Sequence, residues 1–206
     1  MVNDSSKNIP KSLTRWDAST YESSYVEAIR LIVQTLEPLV KTINLPKDAS
    51  VLEIGVGSCK FSASFSIMGY HVTAMDSNPE MLKQGKWNFP NINIEYVVDE
   101  LPDLKSEASK QKYDLVFNEG VVEHFTDKDE RIAVIRAMGN CCVEGGYVFF
   151  YVPFLSDKLD EHRYTSLREM ELEVREAGLV PVLVDIGVFQ TQTQVYNMLR
   201  VLAKKR

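Results

Sequence analysis

VLEIGVGSCKFS, residues 51–62, decides how the rest of the chain is read. An apolar run carries an acid, Glu53, and two glycines follow one residue apart, Gly55 and Gly57. The run has the length of a buried strand, and residues 58–68 read as a helix that stops at Gly69. A tight strand-to-helix turn of this kind lets backbone N–H groups approach a nucleotide closely. The same glycines suit an ordinary turn, so the neighbouring segments must choose between the two.

Those segments alternate. YHVTAMD (70–76) is a second strand ending in Asp76, with Asn78 as N-cap and Pro79 opening a helix to about Gly85. NINIEYVVD (91–99) alternates into a third strand, and YDLVFNEG (113–120) is a fourth, apolar on both faces like a central parallel strand. Thr126 or Asp127 caps a helix to about Gly139, and GGYVFFYVP (145–153) is a fifth strand behind a Gly-Gly turn. Thr165 caps a helix to Gly178, and residues 179–187 and 195–205 supply two further strands. Upstream, residues 20–37 have helical spacing, and Pro38 kinks or ends that helix. The order points to an α/β sheet, doubly wound and mostly parallel, with helices on both faces. Ligands in such sheets lie beyond the strand C-termini, where strand order reverses.

Composition narrows the partners. The chain has 206 residues, 45% hydrophobic and 25% charged, enough for one large domain with at most a small appendage. Its net charge is −6, and only Lys204, Lys205 and Arg206 cluster basic residues, so neither nucleic acid nor an anionic membrane is an expected partner. Three cysteines, two of them adjacent, make no disulfide framework and no zinc spacing; no metal is expected. Residues 1–16 lack the apolar core of a signal peptide, and the expectation is a soluble, cytoplasmic protein. Between Asp99 and Glu130 stand ten acids and four lysines, which suggests a mouth biased towards a neutral or cationic ligand.

A nicotinamide site would place a third glycine at residue 60, which is Lys60. Glu53 would also repel a pyrophosphate, whereas a cationic ligand without phosphates would be attracted. With this, VLEIGVGSCKFS resembles the glycine-rich first motif of the class I S-adenosylmethionine-dependent methyltransferases, small-molecule type. MDSNPEML (75–82), VVDELP (97–102), YDLVFNEGVVEHF (113–125), VEGGYVFFYVP and EHRYTSLREMELEVREAGL (161–179) resemble that family's following segments in the same order. The resemblance covers residues 48–206 and implies a seven-stranded Rossmann-like sheet whose last strand is antiparallel. Residues 1–47 are then an N-terminal helical extension or lid. The departure is Cys59, at the third glycine of the motif; a small packed residue and a thiol activated by the helix N-terminus are its two readings.

The resemblance also implies roles. Glu53, Gly55, Gly57, Ser58 and Cys59 would cradle S-adenosyl-L-methionine, with Asp76, Ser77 and Met81 at its ribose. Asp99 and Glu100 would lie at the adenine, and Asn118 and Glu119 at the methionine moiety. Glu123 and His124 face the acceptor side, where His124 is the candidate general base, although a lone His is more often structural. Trp16, Tyr21 and Tyr25 are candidate lid contacts or a packing stripe. Tyr151, His162 and Tyr164 lie where that family places substrate contacts. The expected activity is direct in-line methyl transfer to a small-molecule acceptor, by a monomer or homodimer, leaving S-adenosyl-L-homocysteine. A non-catalytic cofactor-binding subunit of the same fold is the alternative.

Overall fold

The computed structural model describes residues 23–153, 166–190 and 195–206. From the N-terminus come α1 (Tyr25–Leu31), a π-helical turn (Ile32–Leu36) and α2 (Glu37–Thr42). Then β1 (Ser50–Ile54), α3 (Lys60–Ile67), β2 (His71–Asp76), α4 (Pro79–Asn88) and β3 (Glu95–Val98) alternate. They are followed by α5 (Glu107–Lys110), β4 (Tyr113–Glu119), a 3-10 turn (Val122–His124), α6 (Lys128–Asn140) and β5 (Cys142–Pro153). The chain closes with α7 (Leu167–Glu176), β6 (Val180–Gln190) and β7 (Val195–Lys204).

The seven strands form one sheet in the order β3-β2-β1-β4-β5-β7-β6. β1 pairs in parallel with both β2 and β4, so strand order reverses there and opens a crevice at the strand C-termini. β7 runs antiparallel to β5 and β6, as the family resemblance implies. Alternation along the strands divides the core. Val116, Val148, Phe150 and Val201 face Met138, Met170 and Val174, from α6 and α7. Phe117, Phe149, Met198 and Leu202 face the other way, onto Phe61 and Phe65 of α3 and onto Leu31, Leu36, Leu39 and Val40. The described part of the N-terminal extension therefore packs as a layer over the same core.

Local chemistry explains the boundaries. A capping box opens α1: Ser24 Oγ accepts from the Glu27 amide, and Glu27 Oε2 accepts from the Ser24 amide, both at 3.3 Å. Pro38 does not end the helical run. The π-helical turn precedes it, and Pro38 enters the first turn of α2, where a missing N–H costs little. Asp127 is the cap of α6, while the cap of α7 is Ser166 and not Thr165, which lies outside the described residues. The third strand is shorter than its alternation suggests, and the fifth starts upstream of the Gly-Gly pair, which sits inside it at a register shift against β4. Gly145 there has φ +80°, a conformation glycine adopts without strain.

α6 and α7 are joined by a buried ion pair. Arg131 donates through Nη2 to Glu173 Oε1 at 2.6 Å and through Nε to Oε2 at 3.2 Å, and the Glu173 side chain is fully buried. Arg131→Met leaves that carboxylate buried without its cation and should cost about 3–5 kcal/mol in urea unfolding. The double variant Arg131→Met/Glu173→Met should recover most of the loss; an unchanged midpoint in the single variant would show that the pair carries no weight.

Candidate active site

The crevice is built around a contact that glycine alone permits. Gly55 follows β1 with φ +74°, and a methyl group there would lie 2.1 Å from Val121 Cγ2, in the turn after β4. Its amide donates to the Met75 carbonyl at 2.8 Å, so the loop is pinned between the ends of β2 and β4. Gly57 also has positive φ, and its amide points at Asp76 Oδ2, 3.4 Å away. Asp76 Oδ1 accepts from the Asn78 amide at 2.9 Å, while Ser77 beside it is half-buried. Burial raises the pKa of Asp76, and the amides of Asn78, Gly57, Val56 and Ser77 oppose that rise. The Asp99 amide donates to the Asp76 carbonyl at 3.2 Å, which sets the end of β3 beside the end of β2.

Glu53 stands on β1, two residues before Gly55. It is buried, and Ser62 of α3 donates to its Oε2. Desolvation pushes its pKa up to about 8; the Ser62 hydrogen bond opposes this and the neighbouring Glu119 adds to it. Glu119 ends β4 and pairs with Lys60 at 3.4 Å. Glu123 lies one turn on, with its Oε2 buried and without a hydrogen-bond partner among the described residues. Its pKa is also raised to about 8 by burial, with Glu119 contributing repulsion. Asn118 is fully buried at the switch point. Its Nδ2 donates to the Ile54 carbonyl at 2.6 Å, and its Oδ1 has no hydrogen-bond partner among the described residues.

The remaining candidates are dispersed. Cys59 has φ 58° and is buried; a methyl group on Gly85 of α4 would lie 2.1 Å from its Sγ. The thiol fills the space that Gly85 leaves open, and burial pushes its pKa far up, which removes the activated-thiol reading. Ser58 is buried too, and its carbonyl accepts from Asn88 Nδ2 at 3.1 Å; Met81 is buried within α4. Asp99 organises its own loop, accepting from the amides of Glu100, Lys105 and Ser106 at 2.8–3.0 Å. Desolvation raises its pKa, but these hydrogen bonds together hold it below the ordinary carboxylate range. Glu100 is exposed. His124 is half-buried in the 3-10 turn, with its amide on the Val121 carbonyl at 3.0 Å.

Tyr25 packs edge-on against Phe89 with ring centroids 5.4 Å apart, and Tyr151 is buried with its hydroxyl bonded to the Thr35 side chain. Trp16, Tyr21, His162 and Tyr164 lie outside the described residues. Lys60, Ser62 and Thr35 were missed in the sequence. Lys60 was weighed only as an absent glycine, and the other two meet their partners solely through tertiary packing. Several of the acids between Asp99 and Glu130 have local partners, while Glu119 and Glu123 stand together at the crevice. Asp114 binds Ser50, Asp127 caps α6, Glu107 pairs with Lys110 and Glu119 with Lys60.

Residues 51–146 match the family model of the methyltransferase domain. That segment is similar to the methyltransferase domain family, and the sheet around it has the strand order β3-β2-β1-β4-β5-β7-β6. Over 106 residues it is 31% identical to the ubiquinone biosynthesis O-methyltransferase of Xanthomonas axonopodis pv. citri, covering 50% of this chain and 43% of that protein. The protein of the same name from Serratia proteamaculans is 30% identical over 105 residues, 50% of this chain and 42% of its own length. The chain thus matches less than half the length of these curated relatives. Among solved structures, an S-adenosylmethionine-dependent methyltransferase from Methanosarcina mazei superposes with a TM-score of 0.69 at 17% identity, covering 82% of this chain and 97% of its own. Magnesium protoporphyrin IX methyltransferase from Synechocystis, solved with bound S-adenosylhomocysteine, gives 0.67 at 15% identity, covering 88% and 84%. Among the described residues no helix is long and apolar enough to cross a membrane.

Two predictions follow from the interior of this fold. In a helix, alanine in place of glycine stabilises by about 1 kcal/mol on propensity alone. At Gly85 the clash with Cys59 should reverse the sign and cost about 1–3 kcal/mol. Adding Cys59→Gly should restore stability, because it removes the clash and relieves a left-handed conformation worth about 1–2 kcal/mol; additive effects in the double variant would refute the coupling. The second concerns pH. Glu53 titrates at about 8 when folded and near 4.5 when unfolded. Between these values the folded chain holds a proton that the unfolded chain has lost, so stability falls as pH rises, by up to about 1.4 kcal/mol per pH unit from this group. Urea unfolding of Glu53→Gln at about pH 5.5 and about pH 7.5 should show a smaller fall than the parent chain.

Proposed function

We propose that this chain transfers the methyl group of S-adenosylmethionine to a small-molecule acceptor and leaves S-adenosylhomocysteine. The observation that supports it most is the pair of strand ends at the switch point. The Gly55 loop offers backbone without side chain, and Asp76, 3.4 Å from the Gly57 amide, offers a carboxylate that can accept from two ribose hydroxyls. The unpartnered Oδ1 of buried Asn118 suits an N–H donor such as the cofactor's α-ammonium group. A pyrophosphate fits this donor set poorly. Buried Glu53 and half-buried Glu119 stand beside the loop, and the residue at the third glycine position of the dinucleotide fingerprint, Lys60, is paired with Glu119.

When bound, the cofactor supplies an activated sulfonium leaving group, so the chain's own contribution is placement and exclusion of water. Asp76 and the glycine loop fix the nucleoside end. Asn118 and the turn 120–124 fix the methionine end, and the acceptor approaches over the ends of β4 and β5. The two groups that this turn offers for an acceptor's proton are Glu123 and His124. Asp99 is engaged by its own loop, which leaves backbone at the end of β3 as the better adenine contact. The names of the curated relatives favour an oxygen nucleophile. The acidic composition supports the further reading of a cytoplasmic monomer or homodimer that binds no nucleic acid.

Calorimetry with S-adenosylmethionine and S-adenosylhomocysteine tests the reading. Both should bind, and Asp76→Ala should weaken binding about 10–100-fold, the loss of one or two hydrogen bonds to a charged group. A folded chain that gives no heat with either compound would sink the proposal.

A further inference from the structure

On the face of the sheet covered by α1, α2 and α3, the strands change character two residues before the crevice. Phe117, Phe149, Leu202 and Leu183 form one cross-strand row, in direct register from β4 to β6. The next row on the same face is Glu119, Tyr151, Arg200 and Asp185. It begins at the cofactor loop, where Glu119 meets Lys60 at the first residue of α3. It ends at a guanidinium that is held with care. Arg200 donates through Nε to Asp185 Oδ1 at 2.9 Å and through Nη2 to Oδ2 at 2.6 Å. A methyl group on Gly187 would fall 2.6 Å from both Cδ and Nε of Arg200 and 3.0 Å from its Cζ. Residue 187 thus has to be glycine for the side chain to lie where it does.

A clamp between the edge strand β6 and its neighbour β7 needs neither the glycine seat nor a polar neighbour on the other side. Here the pair engages only one edge of the guanidinium. Nη1 makes no hydrogen bond among the described residues, and the side chain remains 38% exposed. Tyr151 stands between Arg200 and Glu119, its hydroxyl fixed by Thr35 in the π-helical turn, an irregularity that recurs at functional sites. Two strand spacings separate Glu119 from Arg200, about 10 Å, a distance that a small molecule can bridge.

We propose that Arg200, seated over Gly187 and oriented by Asp185, anchors a carboxylate of the methyl acceptor, so that the chain selects anionic small molecules. The inference rests on the methyltransferase reading and runs against the acid-rich sequence between Asp99 and Glu130, of which Glu119 in this row is paired with Lys60. A planar guanidinium with a free edge accepts a carboxylate through parallel N–H groups.

The test measures binding to the chain saturated with S-adenosylhomocysteine, using small phenolic carboxylates such as 3,4-dihydroxybenzoate, each paired with its neutral amide. At least one carboxylate should bind tenfold or more tightly than its amide. Arg200→Met should abolish the difference, Arg200→Lys should restore part of it, and Gly187→Ala should weaken it with the charge retained. S-adenosylhomocysteine affinity should change less than twofold in all three variants, which also shows that they fold. If no carboxylate outbinds its amide, or if the preference survives Arg200→Met, the proposal is wrong. Should S-adenosylhomocysteine itself fail to bind the parent chain, it is the methyltransferase reading that falls, and this proposal with it.

Discussion

The site depends on one steric constraint, the absence of a side chain at residue 55. Val121 Cγ2 occupies the space a Cβ would need, so the loop after β1 and the turn after β4 are packed against each other. That contact closes the switch point from below and sets where Asn118, Glu119 and Glu123 stand relative to Asp76. Without it the two loops would splay, and the acids of β4 would face water. The positive φ at Gly55 belongs to the same requirement, because the chain must leave the strand sideways to pass over Val121.

Burying that junction creates an electrostatic problem that the fold resolves with few charges. Glu53, Glu119 and Glu123 lie near one another, with Lys60 as the cation paired to Glu119. Desolvation and mutual repulsion favour the protonated forms of Glu53 and Glu123 near neutral pH. In the ligand-free chain these groups act more as hydrogen-bonding acids than as a negative pocket. A cationic ligand arriving above them would favour the charged forms, so charge complementarity would be produced on binding instead of being held in advance at the expense of stability.

Much of this was legible in the sequence, and the limits have a common cause. The alternation of strands and helices placed β1, β2 and β4, and with them Gly55, Gly57 and Asp76. Strand order and the antiparallel β7 came through family resemblance, since periodicity says nothing about which strands pair. What stayed hidden were contacts between residues far apart in the chain. Cys59 looked like a flaw in a glycine motif until Gly85, a whole β-strand and helix away, supplied the room it fills. Glu53 lies on β1 as the apolar run implied, but its burial and its bond to Ser62 depend on how α3 docks. Asp99, chosen because it comes first after a strand, is taken up by the amides of residues that follow it, a use local hydrogen bonding makes common for aspartate.

The two cross-strand rows show how one face of the sheet passes from apolar packing to polar pairing. Within one pleat repeat the face passes from Phe117, Phe149, Leu202 and Leu183 to Glu119, Tyr151, Arg200 and Asp185. Phe117, Phe149 and Leu202 of the first row are covered by α1, α2 and α3, while Leu183 on the edge strand is exposed; Phe117 meets Phe61 at 4.7 Å, Phe65 at 5.4 Å and Phe149 at 5.7 Å. An equally apolar second row would have extended the core to the strand ends and filled the crevice. A polar second row stops the core there, and its charges are matched, Glu119 by Lys60 from α3 and Arg200 by Asp185 across β7 and β6. Rigidity behind the row fixes side chains that would otherwise sample many rotamers, and that fixed geometry is what selectivity for a small acceptor requires.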